Sequence, residues 1–352
     1  MIDKQIFLKG SVIAAGALAG AAAVAGCGGS SDATSGASGA RGAGGGPQLS
    51  LVAYSTPQTA YDALIPRYQQ TPSGRRVRFS ESYGASGAQS RAVDSGQPAD
   101  VVAFSTTPDV TRLAKDGIVS SDWDANLHHG IVSDSVVVLV VRKGDPKHIT
   151  GWDDLIKPGV DVITPNPSTS GSARWNILAA YGAELKEGRT PAQAQSYLKT
   201  LLAKHVSVQD SSGRAALQTF TGGKGDVLIS YESEAIAARQ KGIALDYMVP
   251  KQTILIETPI AVTSKSSHQS RAKAFVSWLW TPAAQAIWAQ HGYRPVVASV
   301  LERFASEFPA PPQLFTVGFL GGWTSVVKTF FAPSTGVVTK IEQAAGVPTA
   351  SS

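Results

Sequence analysis

"VDVITPNPSTSGSARWNILAAYG", residues 160–182, passes from a short apolar run through a proline-punctuated loop crowded with small hydroxyl residues into the start of a helix. The same pattern recurs along the chain. Apolar runs stand at "QLSLVAYS" (48–55), "ADVVAFS" (99–105), "SVVVLVVRK" (135–143), "VSVQD" (206–210), "DVLISY" (226–231) and "TILIETPIAVT" (253–263). Continuous Val/Ile/Leu strands between helical segments predict a parallel sheet covered on both faces, hence an α/β fold. Residues 190–205 and 269–292 carry helical apolar spacing, the second interrupted at Pro282.

Roughly 300 ordered residues exceed what one core usually holds, so two α/β lobes are expected. The long extended segments near 130–141 and 250–262 are the candidate crossovers between them. No repeat of solenoid period is visible. The formal charge is +5, but the 31 basic residues are dispersed, which argues against nucleic acid as a partner. The densest group, Arg75, Arg76 and Arg78, reads as a solvated strand or turn.

The first 26 residues are set apart: Lys4 and Lys9 precede "GSVIAAGALAGAAAVAG" (10–26), the layout of a secretory signal rather than of a retained span. "VAGC" (24–27) resembles a bacterial lipobox, which implies cleavage before Cys27 and acyl chains on it. Cys27 is the only cysteine, so an intrachain disulfide and a cysteine metal site are excluded. Residues 28–46 are Gly, Ser and Ala-rich, too poor in apolar groups to fold, and read as a tether.

Ligands of open α/β sheets sit beyond the C-terminal strand ends, where loops enter helices. Three such loops are unusually small and polar: "SYGASGAQS" (82–90), "STSGSARW" (168–175) and "QDSSGRAAL" (209–217). Each is singly explained as a helix cap or turn. Together they offer several unpaired N–H groups and positive dipole ends, the chemistry of an anion cradle.

"GASG" with "QSRAVDSGQPADVV", then "LVVRKGDPKHITGWDDLIKPGVDVITPNPSTSGSARWNILAAYG", "GDVLISYESEA", "HGYRPV" and "GGW" (321–323) resemble the periplasmic sulfate-binding proteins of bacterial ABC importers, over most of 48–330. The resemblance implies a type II, two-lobed periplasmic-binding-protein fold, each lobe a mixed, mainly parallel sheet flanked by helices. It implies lobe 1 at 48–131 and 252–333 and lobe 2 at 132–251, between a signal peptide (1–26) with tether (27–47) and a C-terminal tail (334–352). The family holds dehydrated sulfate with backbone N–H groups, one serine hydroxyl and one indole N–H. By position these fall on the N–H of Ser86, the hydroxyl of Ser170, the N–H groups of Gly171, Ser172 and Gly213, and, in place of the indole, Tyr231. A second departure is "YS" (Tyr54, Ser55) where the family has "YD".

The residue chemistry points the same way. Sulfate carries no proton at neutral pH and suits a donor-only site, whereas hydrogen phosphate brings an O–H that wants an acceptor. Asp210 and Glu232 flank their loops and are the carboxylates to watch; Arg174 and Arg214 are expected to pair with carboxylates and position the loops. The expectation is therefore an extracytoplasmic lipoprotein, anchored through Cys27 and monomeric, that delivers sulfate to an ABC permease without catalysis, cofactor or metal. Thiosulfate, molybdate and tungstate remain open as ligands. Rivals from other classes are an esterase acting on sulfate or phosphate esters and a purely structural surface lipoprotein. "GASG" (84–87) falls short of G-x-S-x-G, and "TGGKGD" (221–226) fails P-loop spacing. Adjacent His128 and His129 cannot share a metal-facing side, and the Trp-rich 278–288 stretch reads as packing rather than a sugar platform.

Overall fold

The computed structural model describes residues 46–349; the expected signal segment, Cys27 and nearly all of the tether lie outside the described residues. The chain runs β1 (Gln48–Tyr54), α1 (Gln58–Gln69), β2 (Arg78–Gly84), α2 (Ser86–Asp94), β3 (Val101–Ala103), α3 (Thr107–Lys115) and β4 (Ile131–Arg142). Then come β5 (Val162–Pro165), α4 (Gly171–Lys186), α5 (Pro191–Thr200), β6 (Val206–Asp210), α6 (Gly213–Thr221), β7 (Val227–Tyr231), α7 (Glu232–Gln240), β8 (Leu245–Met248) and β9 (Gln252–Val262). The last elements are α8 (Gln269–Leu279), α9 (Pro282–Gln290), α10 (Ala298–Arg303), β10 (Gln313–Phe315), α11 (Gly322–Val326) and α12 (Val337–Ala344). Among the described residues no helix is long and apolar enough to cross a membrane.

The strand order is β2-β1-β3-β9-β4-β7-β5-β6, with β10 added to β9 and β8 to β4. Parallel pairing joins β1 to β2 and β3, and β5 to β6 and β7. The two long strands run against the grain: β4 is antiparallel to β7, β8 and β9, and β9 to β3. They are also the crossovers. The first half of β4 pairs with β9 and its second half with β7 and β8, while the far end of β9 reaches β3. One pair of strands thus links two lobes.

The run Val136–Val141 shows why the strand forms. Side chains alternate across a pleat: Val137, Leu139 and Val141 enter one core cluster, and Val136, Val138 and Val140 enter another on the opposite face. Each fully buried Val or Leu stabilises by about 1.5–3 kcal/mol, so a strand with both faces covered tolerates no polar alternation. In the first lobe Leu49, Leu51 and Ala53 face one cluster and Val52 faces another. The break at Pro282 is real: α8 ends at Leu279, and α9 restarts with Thr281 accepting a bond from Ala284 N. Trp288 is core, edge-on to Tyr61 and Tyr293.

Phe315, Val317, Val326 and Phe330 join the core cluster that holds Val137, Leu139 and Val162, and α12 adds Val338 to it. They are held there by β10, which pairs with the start of β9 at Gln252–Ile254.

Candidate anion-binding site

All three small-residue loops lead into helices, and the helices start against one another. Gly87 N donates to Thr169 O at 3.1 Å, joining the first turn of α2 to the loop before α4. A Cβ built on Gly171 would stand 2.7 Å from Ser105 Oγ, and one on Gly213 would stand 3.0 Å from Ser172 Oγ. Tyr231 closes the set: its hydroxyl shares a 2.7 Å hydrogen bond with Ser105 Oγ and lies beside the Ser172 side chain. Ser86, Ser170, Gly171, Ser172, Gly213 and Tyr231 are therefore neighbours, and every one is buried.

Local chemistry fixes which groups can still donate. Ser170 is the N-cap of α4 and its Oγ accepts from Ala173 N at 3.4 Å; Ser212 caps α6 and accepts from Ala215 N at 3.2 Å. Capping serves an N–H in the first turn and leaves those of Gly171, Ser172 and Gly213 without intrahelical acceptors. The Ser170 proton is also not consumed by that bond, since the hydroxyl accepts in it. Ser86 differs. Its hydroxyl donates to Asp109 Oδ2 at 2.6 Å and accepts from Ser105 N at 2.9 Å, so only its backbone N–H is left to serve a ligand.

Burial pushes the Tyr231 phenol above its ordinary range, so it keeps its proton. The phenol can donate to an anion, but unlike an indole it can also accept.

Sequence reading missed Ser105, Thr106 and Thr56. Their signal was available: "FSTTP" (104–108) and "YSTP" (54–57) are also hydroxyl runs at strand ends ahead of a helix. Ser105 is central, because its carbonyl also accepts from Trp175 Nε1 at 2.7 Å, fastening α4 to the first lobe.

The carboxylates fall differently from expectation. Glu232 turns away from the cradle into a bidentate pair with Arg294, at 2.7 Å and 3.0 Å, and Asp210 accepts from Thr219 within its own lobe. Glu234 and Asp109 come close instead. Glu234 Oε1 accepts from Thr56 and Oε2 from Ser230, and Oε2 would lie 3.1 Å from a Cβ on Gly213. Burial raises the Glu234 carboxyl above its usual range, against the pull of its hydrogen bonds and of Arg214. Asp109 Oδ2 accepts from Ser86 and Thr106.

Of the two arginines, Arg214 spans the cleft by donating to Ser55 O at 2.8 Å and lies in the field of Glu234. Arg174 does not find the expected carboxylate. It donates to Pro167 O and lies over the Phe331 ring.

Helix starts from two lobes, meeting across a cleft spanned by two strands, define a two-lobed solute-binding protein. The chain belongs to the bacterial extracellular solute-binding proteins, whose family model matches residues 49–294. It is 40% identical to the sulfate-binding protein of Synechococcus elongatus over 306 residues, 84% of this chain and 87% of that one. It is 34% identical to the thiosulfate-binding protein of Escherichia coli over 293 residues, 79% of this chain and 86% of that one. Among solved structures, the sulfate-binding protein SubI of Mycobacterium tuberculosis superposes with TM-score 0.80 at 47% identity, covering 81% of this chain and all of that one. The resemblance read from the sequence is borne out at the level of family and fold.

Proposed function

We propose that this chain captures sulfate between its lobes and hands the closed complex to an ABC-type permease, without acting chemically on the anion. The observation that carries the reading is the convergence of α2, α4 and α6 N-termini on one buried point, with Ser170, Gly171, Ser172 and Gly213 supplying donors from one side and Ser86 from the other. Such a site replaces the hydration of a dianion by fixed N–H and O–H groups. Of the two nearby carboxylates, Glu234 has both oxygens engaged, by Thr56 and Ser230, whereas Asp109 takes Ser86 and Thr106 on Oδ2 alone and keeps Oδ1 buried without a hydrogen-bond partner among the described residues. Lipid anchoring at Cys27 and a monomeric state complete the proposal; they rest on the sequence alone.

Calorimetric titration with sulfate tests this reading. The unaltered chain should bind, and Ser170→Ala should bind more weakly by about 1–3 kcal/mol, the range for one charge-assisted bond. No heat of binding to the unaltered chain would sink the proposal; equal affinities would remove Ser170 from it.

A specific observation also favours thiosulfate as a second ligand: Tyr231 stands where the resemblance places an indole donor, and relatives named for thiosulfate match nearly as well. Tyr231→Phe keeps the ring and deletes the hydroxyl bonded to Ser105. We expect sulfate affinity to fall by about 1 kcal/mol, roughly fivefold. An unchanged ratio of sulfate to thiosulfate affinity would show that the phenol does not set selectivity.

A further inference from the structure

A cavity of about 730 Å3 lies between α2 and α3 of the first lobe and α4, α11 and α12 on the second, apart from the anion cradle. Three half-buried guanidinium groups line it, Arg91, Arg112 and Arg174, and Lys115 and Lys328 stand at its exposed rim. Among the described residues none of these five cations forms an ion pair with a carboxylate. The guanidiniums have few other partners: Arg112 donates to Ser90 Oγ at 3.3 Å and Arg174 to Pro167 O at 3.2 Å.

Three carboxylates share the lining, and none of them forms an ion pair with the guanidiniums. Asp94 and Asp116 stand exposed at its mouth, Asp94 in the field of Arg112. Glu342 accepts from Gln209, and burial pushes its carboxyl up to about 7, so near neutrality it carries only part of a charge. Burial and repulsion by Arg112 hold both Arg91 and Arg174 below the ordinary guanidinium range, with partial relief from Asp109. Like charges gathered in a desolvated space are costly without a counter-ion. A guanidinium fork, moreover, matches the oxygens of a sulfo or phospho group.

The rest of the wall mixes hydroxyl residues, Thr111, Ser168, Thr324 and Thr339, with an apolar patch. Trp323, Val327, Phe331 and Val338 form it, and the Arg174 guanidinium lies 5.3 Å above the Phe331 ring. A bare tetrahedral anion would leave most of this volume unfilled, whereas small-molecule pockets typically span about 300–1,000 Å3. We propose that this cavity is a second ligand site, for an organic anion with a sulfo or phospho head on an apolar body, the head held by Arg91, Arg112 and Arg174 and the body against Trp323 and Phe331.

The test is calorimetric titration of 2-naphthalenesulfonate into the full mature chain, with the anion cradle already saturated by sulfate. Binding at one equivalent is expected, weakened at least tenfold by Arg112→Gln and two- to fivefold by Lys328→Gln, while sulfate affinity stays within twofold in both. Arg112 and Lys328 contact none of the cradle residues, and Lys328 is exposed, so its variant reports even if Arg112→Gln folds poorly. Failure of this site is separable from failure of the sulfate reading, because sulfate is titrated independently. Four outcomes would overturn the proposal: no binding at millimolar probe, displacement of the probe by sulfate, equally tight binding of uncharged 2-naphthol, or arginine-dependent binding of pyrophosphate alone.

Discussion

Gly171→Ala should reduce sulfate affinity about a hundredfold or more while leaving the ligand-free protein at least as stable as before. The added methyl would stand 2.7 Å from Ser105 Oγ, 2.8 Å from Ser105 Cβ and 3.0 Å from Thr106 Cγ2, all on the opposing lobe. Overpacking of this kind costs roughly 1–3 kcal/mol. Holding the lobes a few tenths of an ångström apart further weakens charge-assisted bonds worth about 1.5–3 kcal/mol each. The sum is near 3 kcal/mol or above, two decades in affinity. With the cleft open, Ser105 no longer opposes the methyl, and alanine in a first helical turn is better than glycine by up to about 1 kcal/mol. Calorimetry and melting temperature without ligand therefore move in opposite directions. Parallel losses in both would mean that Gly171 serves the fold of α4 rather than closure. Tryptophan at 175 supports closure as the reading, because its indole already fastens α4 to Ser105 O across the same gap.

Much of this architecture is legible in the sequence because period and composition report burial directly. Val136–Val141 can only be a strand with both faces covered, and Pro282 can only open a new helix. The three serine-glycine loops announced helix starts, since caps are local chemistry. What joins those starts is not local. Ser105 and Tyr231 are 126 residues apart and meet through the pairing of β3, β9, β4 and β7, which no pattern near either residue encodes. The two carboxylates of "ESE" (232–234) show the same limit at short range. Helical residues two apart point about 200° from each other. Glu232 therefore faces Arg294 and Glu234 faces the cleft, and the choice depends on where α7 begins. At β10 the strand has only three residues, too short a run to announce its pairing with β9.

Arg294→Met should destabilise the protein by about 3–5 kcal/mol, the cost of stranding a buried charge. Arg294 and Glu232 are 6% and 1% exposed, and Arg294 also donates to Phe308 O and Pro309 O, so one side chain serves four acceptors. The pair joins "HGYRPV" to "YESEA", the first residue of α7 to the segment that bridges Asp134 on β4. Its loss is therefore felt at the junction of the lobes. Burial keeps the Glu232 carboxyl above its usual range even with the guanidinium beside it, and without it the shift grows. A carboxyl raised in the folded state binds its proton more tightly there than in the unfolded chain. The penalty of the variant is thus smallest below the unfolded value, about 4.3 for Glu, and grows as pH rises through the folded value. Denaturant titrations of Arg294→Met should show its deficit shrinking on acidification from neutral pH. Adding Glu232→Gln should recover much of it at neutral pH, since a neutral amide can stay buried at lower cost. A deficit that is flat with pH and unrelieved by Glu232→Gln would assign the role of Arg294 to its carbonyl contacts at Phe308 and Pro309.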